Sequence, residues 1–197
     1  EDFMRFIADN PDVPVVQMDS VIGNKSGKVL LTMFPQNTNL LLAFLRDHNT
    51  ARSVLDVFND LYAMFGRETY CRLFPVILTD RGSEFSNPVP IEQDENDELR
   101  SLVFYCNPGA PYQKGGIEVA HELVRRVLPK GKSFDDLQQE DIDLMLSHIN
   151  SYKRGKLNSR SAYQLFNFIY GDDILPKLNI REIEANDIVL SPKLLKK

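Results

Sequence analysis

Residues 13–47, VPVVQMDSVIGNKSGKVLLTMFPQNTNLLLAFLRD, contain the pattern that decides the fold. Three apolar runs are separated by turn residues at 23–27 and at 37–39. Apolar runs rich in β-branched residues and bounded by such turns are typical of strands. The stretch therefore predicts three consecutive strands in an antiparallel meander.

The pattern changes period after residue 50. Apolar residues recur at three- and four-residue spacing over 51–66, which predicts an amphipathic helix capped by Thr50 and ended by Gly66. Further strands are predicted at 75–80 and 102–106, with a long exposed loop or insertion of polar and acidic residues between them. Helices are predicted at 113–128, 135–152 and 161–170. This order indicates an α/β fold, and the opening meander disfavours a doubly wound nucleotide-binding sheet.

Length and composition restrict the class of protein. The chain has 197 residues, 43% of them apolar and 26% charged, which suits one folded domain of ordinary to large size. It contains no apolar run long enough for a transmembrane helix, and we expect no secretory signal. It opens on Glu1, so we expect it to be part of a longer protein. Two cysteines and three histidines fit neither a disulfide scaffold nor a zinc site, and we expect two reduced thiols.

The net charge of −5 argues by itself against nucleic acid, but its distribution is uneven. Residues 92–98 carry five acids and no base, whereas residues 112–132 carry a local charge of +3 and residues 151–160 one of +4. Such clusters usually form a solvated surface. They permit contact with a phosphate backbone without demonstrating it.

Three acids lie where chemistry can use them. Asp19 lies within the first predicted strand, Asp80 at the end of an apolar strand and Glu118 early in a helix, with 60 and 37 residues between them. Taken singly, each acid has a structural explanation. Asp19 and Asp80 could form turns at strand ends, and Glu118 could belong to the solvated face of its helix. Together, two strand acids and one from a facing helix can converge, and three such carboxylates need a counter-charge. Two hard divalent cations would supply it and act at a phosphodiester.

The segments around the second and third acids resemble those of a known family. They read TDRGSEF at 79–85 and NPGAPYQKGGIEVAHELVRRVLPKG at 107–131. With the Asp-Asp-Glu spacing they resemble the catalytic core of DDE transposases and retroviral-type integrases, and most of all the transposases of the insertion sequence 30 family. The matching residues are Asp80, Gly82, Glu84, Phe85, Pro108, Pro111, Gln113, Gly115, Glu118, Leu123, Arg125, Pro129, Lys130 and Gly131. The chain departs from the family pattern at Arg81, Lys114, Val119, His121, Ser161 and Ala162.

This resemblance implies a ribonuclease-H-like fold with a mixed five-stranded sheet flanked by helices. It covers the catalytic core at 13–170, with an acidic insertion near 87–101. The sequence pattern predicts a leader or linker at 1–12, and residues 171–197 are expected to form a C-terminal extension. Asp19, Asp80 and Glu118 are implied to be the catalytic residues and to hold two Mg²⁺ or Mn²⁺ ions. The implied reaction is DNA cleavage and strand transfer. The implied setting is a homo-oligomer on transposon ends and target DNA, in a bacterial cytoplasm at the nucleoid and not on a membrane. A separate N-terminal helix-turn-helix domain is also implied.

The resemblance also suggests residues that contact DNA. These are Tyr112, Gln113, Lys114, Arg125, Arg126, Lys130 and Lys132. An ordinary surface or packing role is equally open for each of them. His121 lies on the same face of the helix as Glu118 and is a candidate for assisting the site, but a role in packing or solvent contact is the better explanation. Glu122 is a weaker candidate for a substitute ligand.

Two other functions stay open at this point. A structure-selective nuclease of the same fold would share the acids but would not need the segment from Pro108 to Glu118. A non-catalytic DNA-binding module descended from a transposase would fit the low net charge. Loss of one of the three acids would favour that module, and all three are present.

Overall fold

A computed structural model describes residues 2–24, 27–107 and 110–196 of the chain. Pro108 and Gly109, within the predicted turn before the glutamate helix, lie outside the described residues. The strands are β1 (Val15–Ile22), β2 (Val29–Pro35), β3 (Leu42–Arg46), β4 (Val76–Thr79) and β5 (Leu102–Tyr105). The helices are α1 (Asp2–Asp9), α2 (Ala51–Leu73), α3 (Val89–Glu92), α4 (Gly115–Val127), α5 (Gln139–Ser151) and α6 (Ala162–Tyr170).

The five strands form one mixed sheet in the order β3-β2-β1-β4-β5. β1, β2 and β3 pair antiparallel, as the meander pattern predicts. β4 joins β1 in parallel, and β5 joins β4 in parallel. The predicted fold class, a mixed five-stranded sheet flanked by helices, is confirmed.

The parallel register of β1 and β4 brings two distant acids together. The register pairs Val15 with Val76 and Gln17 with Leu78. Asp19 and Asp80 are the residues two positions beyond that last pair, so they lie side by side where the parallel pairing ends. The Thr79 hydroxyl, which donates to the Met18 carbonyl at 3.2 Å, ties the two strands together at this point.

Helix α2 runs further than predicted. Its start is as expected, because Thr50 accepts a hydrogen bond from the Ser53 N–H at 3.2 Å. The helix breaks at Gly66, whose φ of 71° and ψ of 165° are not helical. A second helical stretch then continues to Leu73, since Tyr70 and Leu73 bury their side chains in the core.

Helix α4 lies very close to the sheet at Gly116. A Cβ at this position would lie 2.6 Å from Phe34 Cε1 and 3.0 Å from Gln17 Oε1. Only glycine allows this approach. This close approach fixes the first turn of α4 above β1 and β2, next to the site described below.

The acidic segment between β4 and β5 is better packed than an exposed loop. It contains a 3₁₀ turn at Ser83–Phe85 and helix α3, and both Phe85 and Ile91 are buried. Arg100 is only 4% exposed and lies over the rings of Tyr62 and Tyr70, at 5.1 and 5.6 Å from their centroids. The arginine thereby anchors this segment to α2.

The two ends of the described chain pack on the sheet and on α5. Residues 2–9, where the sequence predicts a leader, form α1, whose Phe3 and Phe6 lie against Phe104 of β5. The segment after α6 hydrogen-bonds α5, since the Ile183 N–H donates to Ser151 Oγ at 2.9 Å. The domain boundaries at 12 and 170 stay a prediction. No helix in the described ranges combines the length and apolarity needed to cross a bilayer, and both cysteine thiols are free.

Candidate active site

Asp19 and Asp80 share one cation, the ammonium group of Lys114. Lys114 Nζ lies 3.1 Å from Asp19 Oδ2 and 3.2 Å from Asp80 Oδ2. The two aspartate side chains are 25% and 52% exposed, and that of the lysine is 8% exposed. The deepest charge of the cluster is therefore the positive one, and the two carboxylates open toward solvent.

Gln17 fixes the backbone that carries Lys114. Its Oε1 accepts the Ile117 N–H at 2.7 Å, and its Nε2 donates to the Gln113 carbonyl at 2.8 Å. Gln113 Oε1 in turn accepts the Asn107 N–H at 2.8 Å. The start of α4 is thus held to β1 on one side and to the strand end after β5 on the other. Gln17 was not singled out from the sequence, although a polar side chain two residues before Asp19 in an apolar strand was an available signal.

Glu118 lies in the first turn of α4, about one helical turn after Lys114, and its side chain is exposed. It lines an open cavity of about 590 Å³ together with His121, Glu122, Arg125, Arg126 and Lys130. Within the described ranges, no three His, Cys, Asp or Glu side chains lie close enough to hold one metal ion. The structure thus brings Asp19 and Asp80 together and leaves Glu118 outside that cluster, so the carboxylate triad stays a prediction.

His121 connects α4 to the strand pair that carries Asp19. Its Nε2 lies 2.8 Å from Thr32 Oγ1, and the Thr32 hydroxyl donates to the Asp19 carbonyl at 3.0 Å. Burial lowers the pKa of His121, against a smaller opposite effect of the Asp19 carboxylate. The neutral ring is therefore the favoured form, and its observed partner is a hydroxyl group.

A second polar network, which the sequence did not suggest, supports the site from the other side. Arg46 is 4% exposed and donates to Ser20 Oγ at 3.0 Å and to Asn49 Oδ1 at 2.9 Å. Asn49 Nδ2 donates to Glu84 Oε1 at 3.0 Å. Burial lowers the pKa of Arg46 to about 10, although the Glu84 carboxylate acts in the opposite direction. Arg46 is the last residue of the apolar strand β3, and a charged residue at that position was the only available signal.

Glu84 lies beside Asp80. A Cβ on Gly82 would lie 2.7 Å from Glu84 Oε2 and 3.1 Å from Asp80 Oδ1, so both carboxylates border the space above this glycine. The Gly82 N–H donates to Asp80 Oδ1 at 2.9 Å, which orients that carboxylate. The Asp-Arg-Gly-Ser-Glu segment therefore positions two acids and not one.

The residues predicted to contact DNA occupy different environments. Tyr112 is 75% exposed, whereas Gln113 and Lys114 are 7% and 6% exposed. Arg125 donates to the Ile22 carbonyl at 3.0 Å, and burial lowers its pKa. Arg126, Lys130 and Lys132 are exposed. Their roles toward DNA stay predictions.

The sequence is similar to curated integrases and transposases. It is 29% identical over 151 residues to the provisionally named integrase ORF3 of Spiroplasma virus SpV1-R8A2 B, covering 77% of this chain and 45% of that protein. The chain is a homologue of integrases and transposases. It is also 23% identical over 151 residues to the transposase of IS4351 from Bacteroides fragilis, covering 77% and 44% of the two chains. For transposase InsI of IS30A from Escherichia coli K12, identity is 22% over 147 residues, covering 75% and 36%.

The present chain spans less than half of the length of those relatives. No family model matches it. Its fold is similar to the catalytic core domain of BIV integrase, with a TM-score of 0.51 and 21% identity over 79% of this chain and 92% of that one. It is also similar to a chain of the simian T-cell lymphotropic virus intasome in complex with PP2A regulatory subunit B56 gamma. There the TM-score is 0.56, with 16% identity over 87% and 58% of the two chains.

Proposed function

We propose that this chain is the catalytic core of a DNA transposase that cleaves DNA and transfers the strand with the help of divalent metal ions. The observation that carries the proposal is the pair of carboxylates, Asp19 and Asp80, which converge on one cation where the parallel strands end. The fold of retroviral integrase cores and the names of the relatives support it.

The residues at this position suit a hard divalent ion. Asp19 and Asp80 already bind a cationic group through one oxygen each, and carboxylate oxygens are the ligands that Mg²⁺ and Mn²⁺ prefer. We propose that Asp19, Asp80 and Glu118 hold two such ions. Bound there, the ions would activate water or a DNA 3′-hydroxyl as nucleophile and stabilise the leaving 3′-oxygen.

The remaining site residues would bind and orient DNA. Exposed Arg126, Lys130 and Lys132 offer charge to phosphate oxygens, and Arg125 adds charge at the edge of the same cavity. Tyr112, which is 75% exposed, offers a ring on which an unpaired base at a DNA end can stack. Gln113 would act indirectly, because its backbone carbonyl and its side-chain Oε1 hold the start of α4 in place.

We further propose that the protein works as a homo-oligomer on transposon ends and target DNA. The viral chain whose fold resembles that of this protein comes from an intasome, which supports this proposal. A helix-turn-helix domain preceding the core, which the family resemblance implies, would supply recognition of the ends. The DNA of a bacterial cytoplasm is the expected site of action.

A strand-transfer assay tests this proposal. The full-length protein would be incubated with labelled DNA ends of its transposon, target DNA and Mg²⁺. The variants Asp80→Asn and Asp172→Asn would be assayed alongside. We expect joined products from the wild type and from Asp172→Asn, an exposed control, and none from Asp80→Asn. Nicking without joining would favour a nuclease, and DNA binding with no cleavage would favour a non-catalytic module. Either result would overturn the proposal.

A further inference from the structure

Lys114 is unusual among the lysines of the described residues because its ammonium group is enclosed. The residue is 6% exposed, and its ammonium contacts two carboxylates that are both more accessible than itself. A buried lysine is costly unless it is paired, and here the pairing partners are the two acids proposed to hold metal. The ammonium therefore occupies the position between Asp19 and Asp80 in which a bridging cation would be bound.

The backbone around Lys114 is fixed while its side chain can move. The Gln113 carbonyl and side chain are held by Gln17 and by the Asn107 N–H. Lys114 itself ends the 3₁₀ turn Pro111–Lys114 and precedes the first residue of α4, so its backbone is held at the junction of the two. A lysine side chain has four rotatable carbon–carbon bonds, so its ammonium can leave the carboxylates without any change in the fold.

Charge decides what happens when a divalent ion arrives. Two carboxylates and one ammonium leave one negative charge, whereas two carboxylates and one divalent ion are neutral. An ammonium and a divalent ion repel each other strongly at the distance that the two aspartates set. Only one of the two cations is therefore expected between them at a time.

We infer that Lys114 is an internal counter-cation that holds Asp19 and Asp80 together without metal and leaves them when a divalent ion binds. This inference rests on the proposed function, because it takes Asp19 and Asp80 as metal ligands. The released ammonium would then lie at the edge of the site as a free positive charge. This gives Lys114 two successive partners, the carboxylates first and a DNA phosphate afterwards.

Chemical labelling measures the release directly. The protein would be treated briefly with an amine-reactive acetylating reagent with and without Mg²⁺, and each lysine would be quantified by mass spectrometry. We expect labelling of Lys114 to rise several-fold with Mg²⁺, while exposed Lys177 is labelled equally in both samples. Unchanged labelling of Lys114 in a protein that binds the metal would overturn the inference.

Calorimetric titration with Mn²⁺ measures the competition. We expect Lys114→Met to bind Mn²⁺ about tenfold more tightly than the wild type, because the competing cation is gone. Lys114→Arg, which keeps the charge, should return toward the wild-type affinity, and Lys177→Met should equal it. Without metal, Lys114→Met should melt about 2–4 °C lower, because two carboxylates then face each other unpaired.

The outcomes separate this inference from the proposed function. Wild type that binds Mn²⁺, with Lys114→Met binding equally or more weakly, would contradict the exchange and leave the transposase proposal standing. Absence of Mn²⁺ binding in the wild type and in Lys114→Met alike would contradict the proposed function and this inference with it. Binding by Lys114→Met alone would support the exchange in its strongest form.

Discussion

The side chain of Gln17 binds the first turn of the glutamate helix, because its Oε1 accepts the Ile117 N–H at 2.7 Å. This contact joins residues 100 positions apart in the chain and fixes α4 over the strand that carries Asp19. The same amide donates to the Gln113 carbonyl at 2.8 Å, so one buried side chain satisfies two backbone groups of a helix start.

Replacing Gln17 should therefore be costly. Gln17→Leu leaves the Ile117 N–H and the Gln113 carbonyl without their partner, and we expect the free energy of unfolding to fall by about 2–4 kcal/mol. Urea unfolding followed by circular dichroism measures this loss. Gln36→Leu, at an exposed position, is the matched control and should stay within about 0.5 kcal/mol of the wild type. Equal stabilities of the two variants would contradict the role of Gln17.

The close approach of α4 to the sheet gives a second prediction. In Gly116→Ala the new methyl group would lie 2.6 Å from Phe34 Cε1, and we expect a loss of about 1–3 kcal/mol in unfolding free energy. The adjacent variant Gly115→Ala is an ideal control, because its methyl group would meet no atom within 4 Å. Alanine is also the better helix former, so Gly115→Ala should be neutral or slightly stabilising. A reversed order of the two stabilities would show that α4 does not lie this close to the sheet.

The third prediction concerns pH and the chain end. The Val189 N–H donates to His148 Nδ1 at 3.1 Å, which requires that this nitrogen carry no proton. Burial lowers the pKa of His148, helped by the charge of Arg181 and opposed by that of Asp187. The unfolded chain therefore takes up a proton before the folded one does. The contribution of His148 to stability is complete above its unfolded pKa of about 6.5 and is lost as the pH falls below it.

Unfolding curves at about pH 7.5 and at about pH 5.5 test this sign. The wild type should lose more stability between these two values than His148→Gln, whose side chain keeps an acceptor but does not titrate in this range. The protection of the Val189 amide against hydrogen exchange, measured relative to the rate of an unprotected amide at the same pH, should also fall at the lower pH in the wild type. Parallel pH dependence of both proteins would contradict the assignment.

Much of the sheet was predictable from the sequence, since local patterns determine it. The apolar runs of 13–47 and the turn residues between them predict β1, β2 and β3, and the fold confirms their antiparallel pairing. The break at Gly66 was also predicted, but the helical stretch beyond it was not. That stretch depends on burial of Tyr70 in the tertiary core, which no local pattern reveals.

The site was harder to predict, because it depends on long-range register. The motif around Asp80 indicated an acid of functional interest, but only the parallel pairing of β1 with β4 places it beside Asp19. Lys114 was predicted to contact DNA phosphate, with an ordinary surface or packing role equally open. Its burial follows from the 3₁₀ turn Pro111–Lys114, which turns the side chain toward the two aspartates. Arg46 and Glu84 were missed as partners because their link passes through Asn49 on a separate loop.

The central claim is that Asp19 and Asp80, with Glu118, hold divalent metal ions. A crystal grown with MnCl₂, with diffraction data collected at the manganese absorption edge, tests it most directly. We predict an anomalous peak between the Asp19 and Asp80 carboxylates, with Glu118 turned toward it. Manganese bound only elsewhere, with Asp19 and Asp80 still paired to Lys114, would contradict the account.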